Sequence, residues 1–467
     1  MKKLITVMIL LAALTGNWAL SGLVFAETSG KETTKTSVIT EAPSIVGETG
    51  ALIDAKTGTV LYNKGMDLQR EPASTTKIIT GLLAIENLPL DKVVTIDGET
   101  PFTDGSRIYL IEGEQITVED LLYALFLSSA NDAAVALAIE MAGSVEDFAV
   151  MMNQKAKELG AKNTNFVNPN GLHADGHLTT SYDLAVIAKA AMENPTFRKY
   201  VTTYKHTIEP TNKQEEPRYL YNTNRLLYDE KTKVSVNGVL RTAKYDGVTG
   251  IKTGYTGQAG GCLVAGASRD GTELIAVVMK STDSGRFGDS IALLDWGFEN
   301  YHTVKLVDKG QELSTGKVTK GAEKTVSLVT ARDGYVTLPT GQAADQIKTV
   351  VKTVDKLTAP LAKGQEAGSA DFFQDGGLVG SVSLVSAEAV KEGGLFTGLG
   401  NFGKGLGKVA VVVLIAAAAV TSAAGGLLYI RHVNIKRRKL RRQQRALRAM
   451  NREKEQLYYN RGKYMNR

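Results

Sequence analysis

The chain has 467 residues, of which 43% are hydrophobic and 22% charged, with a formal net charge of +6 and a single cysteine. One cysteine excludes an intrachain disulfide, so the fold must be stabilised by its core. The positive charge is confined to the C-terminus, because residues 431–467 hold 14 Lys or Arg and two Glu. Once these and Lys2 and Lys3 are set aside, 39 basic and 47 acidic residues remain, a net charge of −8. The overall charge therefore gives no argument for a nucleic-acid partner.

The N-terminus predicts export. Met1-Lys-Lys precedes an apolar run over residues 4–14, and Val24-Phe-Ala26 supplies small residues suited to cleavage. We expect a signal peptide at 1–26, cleaved after Ala26, and a linker at 27–40; an uncleaved anchor is the alternative.

The length of the segment 41–300 and its mixture of strand-like and helical patterns predict one α/β domain. The strand-like segments Gly50-Ala-Leu-Ile-Asp and Thr59-Val-Leu-Tyr flank Ala55-Lys-Thr-Gly, which predicts a hairpin. Strands at the beginning and end, with helical patterns between them, predict an antiparallel sheet between helical layers.

The segment that starts at Ser74 and Lys77 predicts a helix, because apolar residues recur at 78, 79, 82, 83 and 85 after Pro72. Residues three apart on a helix are neighbours, so the hydroxyl of Ser74 and the amine of Lys77 can share a hydrogen bond. A lysine acts as a base near neutral pH only if its pKa falls by roughly three units, which costs about 4 kcal/mol. Desolvation and a neighbouring cation can lower it, and Lys252 is the candidate cation.

A second string, Ser129-Ala-Asn131, follows a predicted helix that opens with the capping residue Thr117. We interpret residues 128–132 as a turn between two helices, from which two polar side chains can point into a cleft. Ser129 could then pass a proton, and Asn131 could hydrogen-bond a substrate amide.

A third string, Lys252-Thr-Gly254, lies on a predicted strand beside a hairpin that turns at Arg269-Asp-Gly-Thr272. Glycine at 254 would let a peptide substrate approach the strand edge closely. Cys262, on the next apolar run, is predicted to be a small buried side chain without a redox role.

His173-Ala-Asp-Gly-His177 has the residue types of a zinc site, since two His and one Asp fall within five residues. Gly176 weakens the helix that such spacing requires, and the string lacks the Glu of a zinc-peptidase helix. We therefore favour a loop near the rim of the cleft and expect neither a metal site nor a cofactor.

Four segments follow the first domain. Short alternating stretches over 301–391 predict a small β-rich domain, and 392–408 is a Gly-rich linker. Residues 409–430 form a 22-residue run without charge, long enough for a transmembrane helix. The basic tail, 431–467, is expected to be cytoplasmic, with the catalytic part on the outer side. It is either an amphipathic helix on anionic lipid or a solvated tail.

Each of the three strings is weak alone, but together and in this order they are typical of penicillin-recognising serine enzymes. The chain resembles the low-molecular-mass penicillin-binding proteins, specifically the serine-type D-alanyl-D-alanine carboxypeptidases, over roughly residues 41–390. The likeness includes Asn168-Pro-Asn-Gly-Leu and Thr180-Ser-Tyr-Asp-Leu-Ala. It implies a serine β-lactamase/transpeptidase-like domain followed by the β-rich domain and the C-terminal transmembrane helix.

The resemblance also implies a role for each motif residue. Ser74 would be the acylated nucleophile and Lys77 its general base, and Ser129 with Lys252 would relay the proton to the leaving D-alanine. The substrate-binding residues would be Asn131, Lys252, Thr253, Gly254, Tyr255 and Arg286. Within this set Thr253 and Arg286 would bind the terminal carboxylate, and the backbone N–H groups of Ser74 and Tyr255 would form the oxyanion hole.

The chain departs from the commonest family pattern at Ala130, where glycine is frequent, and Arg286 is matched by context rather than by a motif. We expect removal of the terminal D-alanine from peptidoglycan stem peptides, with β-lactams as covalent inhibitors. The alternatives are DD-endopeptidase or transpeptidase activity, and a non-catalytic, membrane-tethered wall-binding protein. Between Asp132 and Ile251 no Glu has an Asn four residues on, which argues against efficient penicillin hydrolysis.

Overall fold

The computed structural model describes residues 39–393 and 403–463. The described chain divides into two compact units. The first runs to Thr303 and includes Thr337–Ala344, and the second comprises Val304–Val336 and the described residues from Asp345 onward. The predicted signal peptide lies outside the described residues.

Seven α-helices belong to the first unit, and several begin at the polar caps that the sequence provides. Thr117, Ser144 and Thr180 each accept a hydrogen bond from the backbone N–H three residues on, which satisfies an otherwise unpaired donor. The helices are α1 (Lys77–Asn87), α2 (Val118–Leu127), α3 (Asn131–Ala142), α4 (Val145–Leu159), α5 (Ser181–Glu193), α6 (Pro195–Thr202) and α7 (Gly285–Asn300).

Eleven strands precede α7 among the residues from 39 onward that the structure describes. They are β1 (Thr49–Asp54), β2 (Val60–Lys64), β3 (Val93–Thr95), β4 (Gln115–Thr117), β5 (Lys205–Ile208), β6 (Arg218–Tyr221), β7 (Lys233–Val236), β8 (Val239–Thr242), β9 (Val248–Thr256), β10 (Gly260–Arg269) and β11 (Thr272–Ser281). Five of them form an antiparallel sheet in the order β2-β1-β11-β10-β9, and the remaining six pair into three two-stranded ribbons.

Both faces of this sheet are buried. Alternate residues of a strand point to opposite faces, and on β11 Ile275 and Val277 belong to a core shared with α1–α6. Ala276 and Val278 belong to a second core shared with α7. The predicted antiparallel sheet between helical layers is confirmed, and its central strands are apolar throughout because neither face meets water.

The two predicted hairpins are present. β10 and β11 pair antiparallel up to Arg269 and Thr272, and the two residues between them, Asp270 and Gly271, have φ values of 49° and 81°. Positive φ at both central positions matches the right-handed twist of the paired strands. β1 and β2 likewise pair across the predicted turn at Ala55-Lys-Thr-Gly.

Eight strands follow α7, which confirms a β-rich C-terminal region. They are β12 (Tyr301–Val307), β13 (Glu312–Thr319), β14 (Thr325–Thr330), β15 (Gly334–Pro339), β16 (Lys348–Thr353), β17 (Leu357–Thr358), β18 (Glu366–Gln374) and β19 (Gly377–Ser386). Six form a sheet in the order β16-β18-β19-β14-β13-β17. Its alternating strands bury Leu328, Phe372 and Leu384 completely.

The last helix, α8, spans Gly403–Lys463. Its segment Val413–Gln456 is long and apolar enough to cross a membrane and is not buried within the described structure. Most of the charge-free run at 409–430 lies in this segment, which suggests membrane anchoring by a C-terminal apolar helix.

Candidate active site

Ser74 and Lys77 meet at the start of α1. Ser74 lies in a 3₁₀ turn, Ala73–Thr76, that runs directly into the helix, and Lys77 is the first residue of α1. The Lys77 Nζ atom lies 3.0 Å from the Ser74 Oγ atom, as the spacing predicts. The one difference is that Ser74 precedes the α-helix. In a 3₁₀ turn residues three apart are eclipsed, which aligns the two side chains closely.

Two further oxygens surround the Lys77 amine. Nζ donates to the side-chain oxygen of Asn131 at 2.6 Å and to the backbone oxygen of Asn170 at 2.6 Å. An uncharged amine has two N–H bonds and one lone pair. With both N–H bonds directed at these acceptors, the lone pair faces the hydroxyl of Ser74, which is the arrangement a proton acceptor requires.

The surroundings of Lys77 favour that uncharged form. The side chain is completely buried, and its pKa lies well below 10.5, first because burial penalises the cation and second because Lys252 repels it. Asp132 acts in the opposite direction and raises the pKa of Lys77. The predicted influence of Lys252 is therefore present, although burial is the larger cause.

Ser129 lies in the turn between α2 and α3, as predicted, but this turn covers only residues 128–130, because α3 already begins at Asn131. Ser129 is buried and has a φ of 56°, a left-handed conformation that a serine rarely adopts. Asn131 begins α3, and its Nδ2 atom donates to the Asp104 backbone oxygen at 2.6 Å. The side chain of Asn131 thus joins the lysine to the loop before α2.

The third motif lies on β9, at the edge of the five-stranded sheet. Lys252 is buried, its Nζ donates to the Thr253 backbone oxygen at 3.0 Å, and its pKa is lowered to about 7 by burial and then by Arg286. The hydroxyl of Thr253 lies 2.7 Å from that of Thr223. Tyr255, one residue beyond the motif, is exposed.

Gly254 is explained by packing rather than by open space for a substrate. A Cβ atom at this position would lie 3.0 Å from the Ser74 backbone nitrogen and 3.1 Å from the Cβ of Ala73. Strand β9 therefore passes directly against the turn that carries the serine. This close approach brings the second lysine motif to the nucleophile.

Arg286, near the start of α7, reaches the same strand. Its Nη1 atom donates to the Gly254 backbone oxygen at 2.6 Å, and its Nη2 atom donates to the Asp283 carboxylate at 2.6 Å. The Arg286 residue is buried, whereas the Asp283 side chain is 55% exposed.

The histidine pair has other partners. His173 Nδ1 lies 2.9 Å from Glu71 Oε1. His177 Nδ1 accepts from the Val167 backbone N–H, so its Nε2 carries the proton and donates to the Thr76 hydroxyl. Among the described residues no group of three or more His, Cys, Asp or Glu could hold a metal ion.

Cys262 is buried on β10, as predicted, with its sulfur 3.8 Å from the Glu71 backbone oxygen. Burial raises the pKa of this thiol to about 11, which keeps it protonated and unreactive.

Sequence reasoning missed three contributors to the site: the backbone oxygen of Asn170, the hydroxyl of Thr223, and the charge of Asp132. Asn170 lies in the turn-rich string 168–172. Within it Gly171, with a φ of 84°, approaches the serine turn so closely that a Cβ would lie 1.9 Å from the Ala73 oxygen. The Asn and Gly residues signal a turn, but not which backbone oxygen the turn presents.

The fold and this site define a serine hydrolase in which a lysine accompanies the nucleophile. The family model for D-alanyl-D-alanine carboxypeptidases matches residues 36–283. A second model, for the C-terminal domain of penicillin-binding protein 5, matches residues 301–392. The chain belongs to the D-alanyl-D-alanine carboxypeptidase family, as the motifs predicted.

Curated relatives and solved structures agree. The chain is 37% identical over 380 residues to the D-alanyl-D-alanine carboxypeptidase DacF of Bacillus subtilis, covering 80% of this chain and 91% of DacF. It is 34% identical to DacC of Escherichia coli, covering 76% and 87%. Penicillin-binding protein 5 of Haemophilus influenzae superimposes with a TM-score of 0.60 at 31% identity, covering 76% of this chain and all of the other.

Proposed function

We propose that this enzyme removes the terminal D-alanine from peptidoglycan stem pentapeptides through an acyl-enzyme on Ser74. The observation that carries the proposal is the contact between Ser74 Oγ and a buried Lys77 amine whose other two partners are carbonyl oxygens. The Lys77 amine can therefore accept the proton of Ser74 without a cofactor.

In the acylation step, Ser74 Oγ attacks the carbonyl carbon of the penultimate D-alanine, and its proton passes to Lys77. The carbon–nitrogen bond to the terminal D-alanine then breaks, and Ser129 with Lys252 relays a proton to the departing amine. The pKa of about 7 supports this role for Lys252, since a group that titrates near neutrality can both release and regain a proton.

The oxyanion that forms during acylation would be held by the backbone N–H groups of Ser74 and Tyr255. The close approach of Gly254 to the Ser74 nitrogen supports this assignment, because the strand that carries Tyr255 runs beside the backbone of the serine turn. Asn131, Lys252, Thr253, Gly254 and Arg286 would bind the peptide, with Thr253 and Arg286 at its terminal carboxylate.

Deacylation completes the cycle. Water attacks the ester carbon, the bond to Ser74 Oγ breaks, and the shortened stem peptide leaves with a new carboxylate. A β-lactam would acylate the same serine but leave more slowly, which would make it a covalent inhibitor.

The decisive test uses the full chain in detergent with a peptide that ends in D-Ala-D-Ala. Wild type should release free D-alanine, and Ser74→Ala should not; Lys305→Ala, a substitution of an exposed surface lysine, is the matched control and should behave as wild type. Equal release by wild type and Ser74→Ala would refute the assignment. Labelling by a fluorescent penicillin should likewise require Ser74.

Transpeptidation is the second candidate, because a mutant of the Streptomyces K15 DD-transpeptidase superimposes on this chain at 35% identity and a TM-score of 0.50, covering 55% of this chain and 99% of the other. The two reactions share the acyl-enzyme and differ in whether water or an amine attacks it. Adding a D-amino acid acceptor to the assay distinguishes them, since transpeptidation would give a peptide of the original length that ends in the added residue, in place of the shortened acid.

We further propose a single transmembrane helix at 409–430, an extracytoplasmic catalytic domain at 41–300, a β-rich domain at 301–391, and a cytoplasmic tail at 431–467. The exposed helix Val413–Gln456 and the excess of basic residues after Ile430 support this orientation. Protease added outside intact cells should degrade the β-rich domain and leave the basic tail intact.

A further inference from the structure

The guanidinium of Arg286 already holds a carboxylate of the protein. Nη2 donates to Asp283 Oδ1 at 2.6 Å, and Nη1 donates inward to the Gly254 backbone oxygen at 2.6 Å. The Arg286 Nε atom is buried and has no hydrogen-bond partner among the described residues. The Nη1 atom thus bonds to the protein interior, and the Nη2 atom, on the solvent side, is covered by Asp283.

Asp283 lies in the turn that leads into α7, three residues before Arg286. The Thr282 side chain accepts a hydrogen bond from the Gly285 backbone N–H, and the Thr282 backbone oxygen accepts one from the Arg286 backbone N–H. This turn fixes the spacing between the acid and the arginine. The Asp283 side chain is 55% exposed while that of Arg286 is 10% exposed, so the carboxylate lies on the solvent side of the guanidinium.

The ion pair between Asp283 and Arg286 must lie close to Ser74 if it is to affect substrate binding, because the leaving group of the substrate is a single residue. Arg286 contacts the Gly254 oxygen, and Gly254 passes against the Ser74 backbone nitrogen. The carboxylate of a terminal D-alanine lies only about one residue length, roughly 3.5 Å, beyond the scissile bond. A substrate carboxylate that binds Arg286 through Nη2 would compete with the Asp283 carboxylate for that atom.

We propose that Asp283 is a resident carboxylate that occupies Arg286 in the free enzyme and must be displaced by the carboxylate of the substrate. This inference depends on the proposed function, in which Arg286 binds the terminal carboxylate. The Asp283 residue acts through Arg286 and is a positioning residue that sets substrate affinity. It weakens binding of every carboxylate at Arg286, a small free carboxylate included.

The test is steady-state D-alanine release by the full chain with Asp283→Asn, which keeps the side-chain shape and removes its charge. Because the Asp283 carboxylate is half exposed, its ion pair with Arg286 contributes little, and KM should fall by about 1.4- to 5-fold while kcat stays unchanged. Acetate, used as a probe of the carboxylate site, should slow labelling by a fluorescent penicillin at lower concentrations in Asp283→Asn than in wild type.

The matched control is Asp295→Asn, which removes another surface carboxylate from α7, one that pairs with Arg241. It should leave both KM and acetate inhibition unchanged. If KM of Asp283→Asn rises, stays the same, or kcat falls instead, Asp283 merely braces Arg286 and the proposal is wrong. A failure of the proposed function itself would appear differently, as wild type that releases no more D-alanine than Ser74→Ala.

Discussion

Two regions of this protein, one in each unit, treat buried charge in opposite ways. In the second unit the buried carboxylate of Asp371 lies 2.7 Å from the exposed amine of Lys352 and accepts from the Ser381 hydroxyl at 2.6 Å. In the first unit Lys77 and Lys252 are buried, and no carboxylate of the described residues lies within 4.0 Å of either amine.

This difference shows that the two buried lysines of the active site lower the stability of the fold but provide amines that can accept protons. A buried amine without a counter-ion is costly unless it gives up its proton, and burial lowers the pKa of both lysines of the first unit. In the second unit the hydrogen bond with Lys352 lowers the pKa of Asp371, so this carboxylate keeps its charge.

Removing the Lys77 amine should have the largest effect. Lys77→Ala should slow acylation of Ser74 by about 10²- to 10⁴-fold, the usual contribution of a general base. The rate of labelling by a fluorescent penicillin measures this directly. Lys352→Ala, the matched change in the second unit, should label as fast as wild type; a similar loss in both variants would remove the distinction between the units.

Lys252→Met should reduce activity and stabilise the fold. The folded pKa of about 7 lies below the unfolded value of 10.5, so the cost of burying Lys252 is complete below pH 7 and vanishes as the pH rises to 10.5. At 1.36 kcal/mol per pKa unit the variant should gain up to about 5 kcal/mol at pH 7. Denaturant unfolding at pH 7 and at pH 10 checks this, and a gain that grows with pH would contradict it.

Thr223→Val should weaken substrate binding moderately. The substitution removes the hydroxyl that lies 2.7 Å from Thr253 Oγ1. One hydrogen bond is worth about 1 kcal/mol, so KM for the D-Ala-D-Ala peptide should rise about fivefold while kcat changes little. Thr349→Val on β16, outside the first unit, serves as control, and an unchanged KM for Thr223→Val would show that Thr253 needs no such support.

Asp371→Asn in the second unit should have the smallest effect. Loss of its pair with Lys352 should lower the stability of that unit by about 1 kcal/mol or less, because Lys352 is exposed. Penicillin labelling of Ser74 should stay at the wild-type rate. A slower rate would mean that the β-rich unit takes part in the chemistry.

Much of this architecture follows from sequence pattern. The apolar strands β10 and β11, the turn at Asp270 and Gly271, and the cap at Thr117 are local features whose physics is complete within a few residues. The contact between Ser74 and Lys77 could be predicted for the same reason, since a spacing of three residues fixes it.

The remainder of the site depends on contacts between distant segments. The Asn170 backbone oxygen and the Thr223 hydroxyl join Lys77 and Thr253 only because the chain folds loops against α1 and β9. Packing between distant segments also explains the glycine at 254. The neighbour that leaves no room for a side chain there is Ser74, 180 positions away in the sequence. No local pattern encodes such neighbours.

Whether Lys77 acts as an uncharged base is measured by the pH dependence of Ser74 labelling in wild type, Lys252→Met and Asp132→Asn. The rising limb of the wild-type profile should lie well below pH 10.5. It should move to higher pH in Lys252→Met, because a repelling cation is lost, and to lower pH in Asp132→Asn, because an attracting anion is lost. A limb near pH 10.5 in wild type, or one that does not move in either variant, would contradict the account.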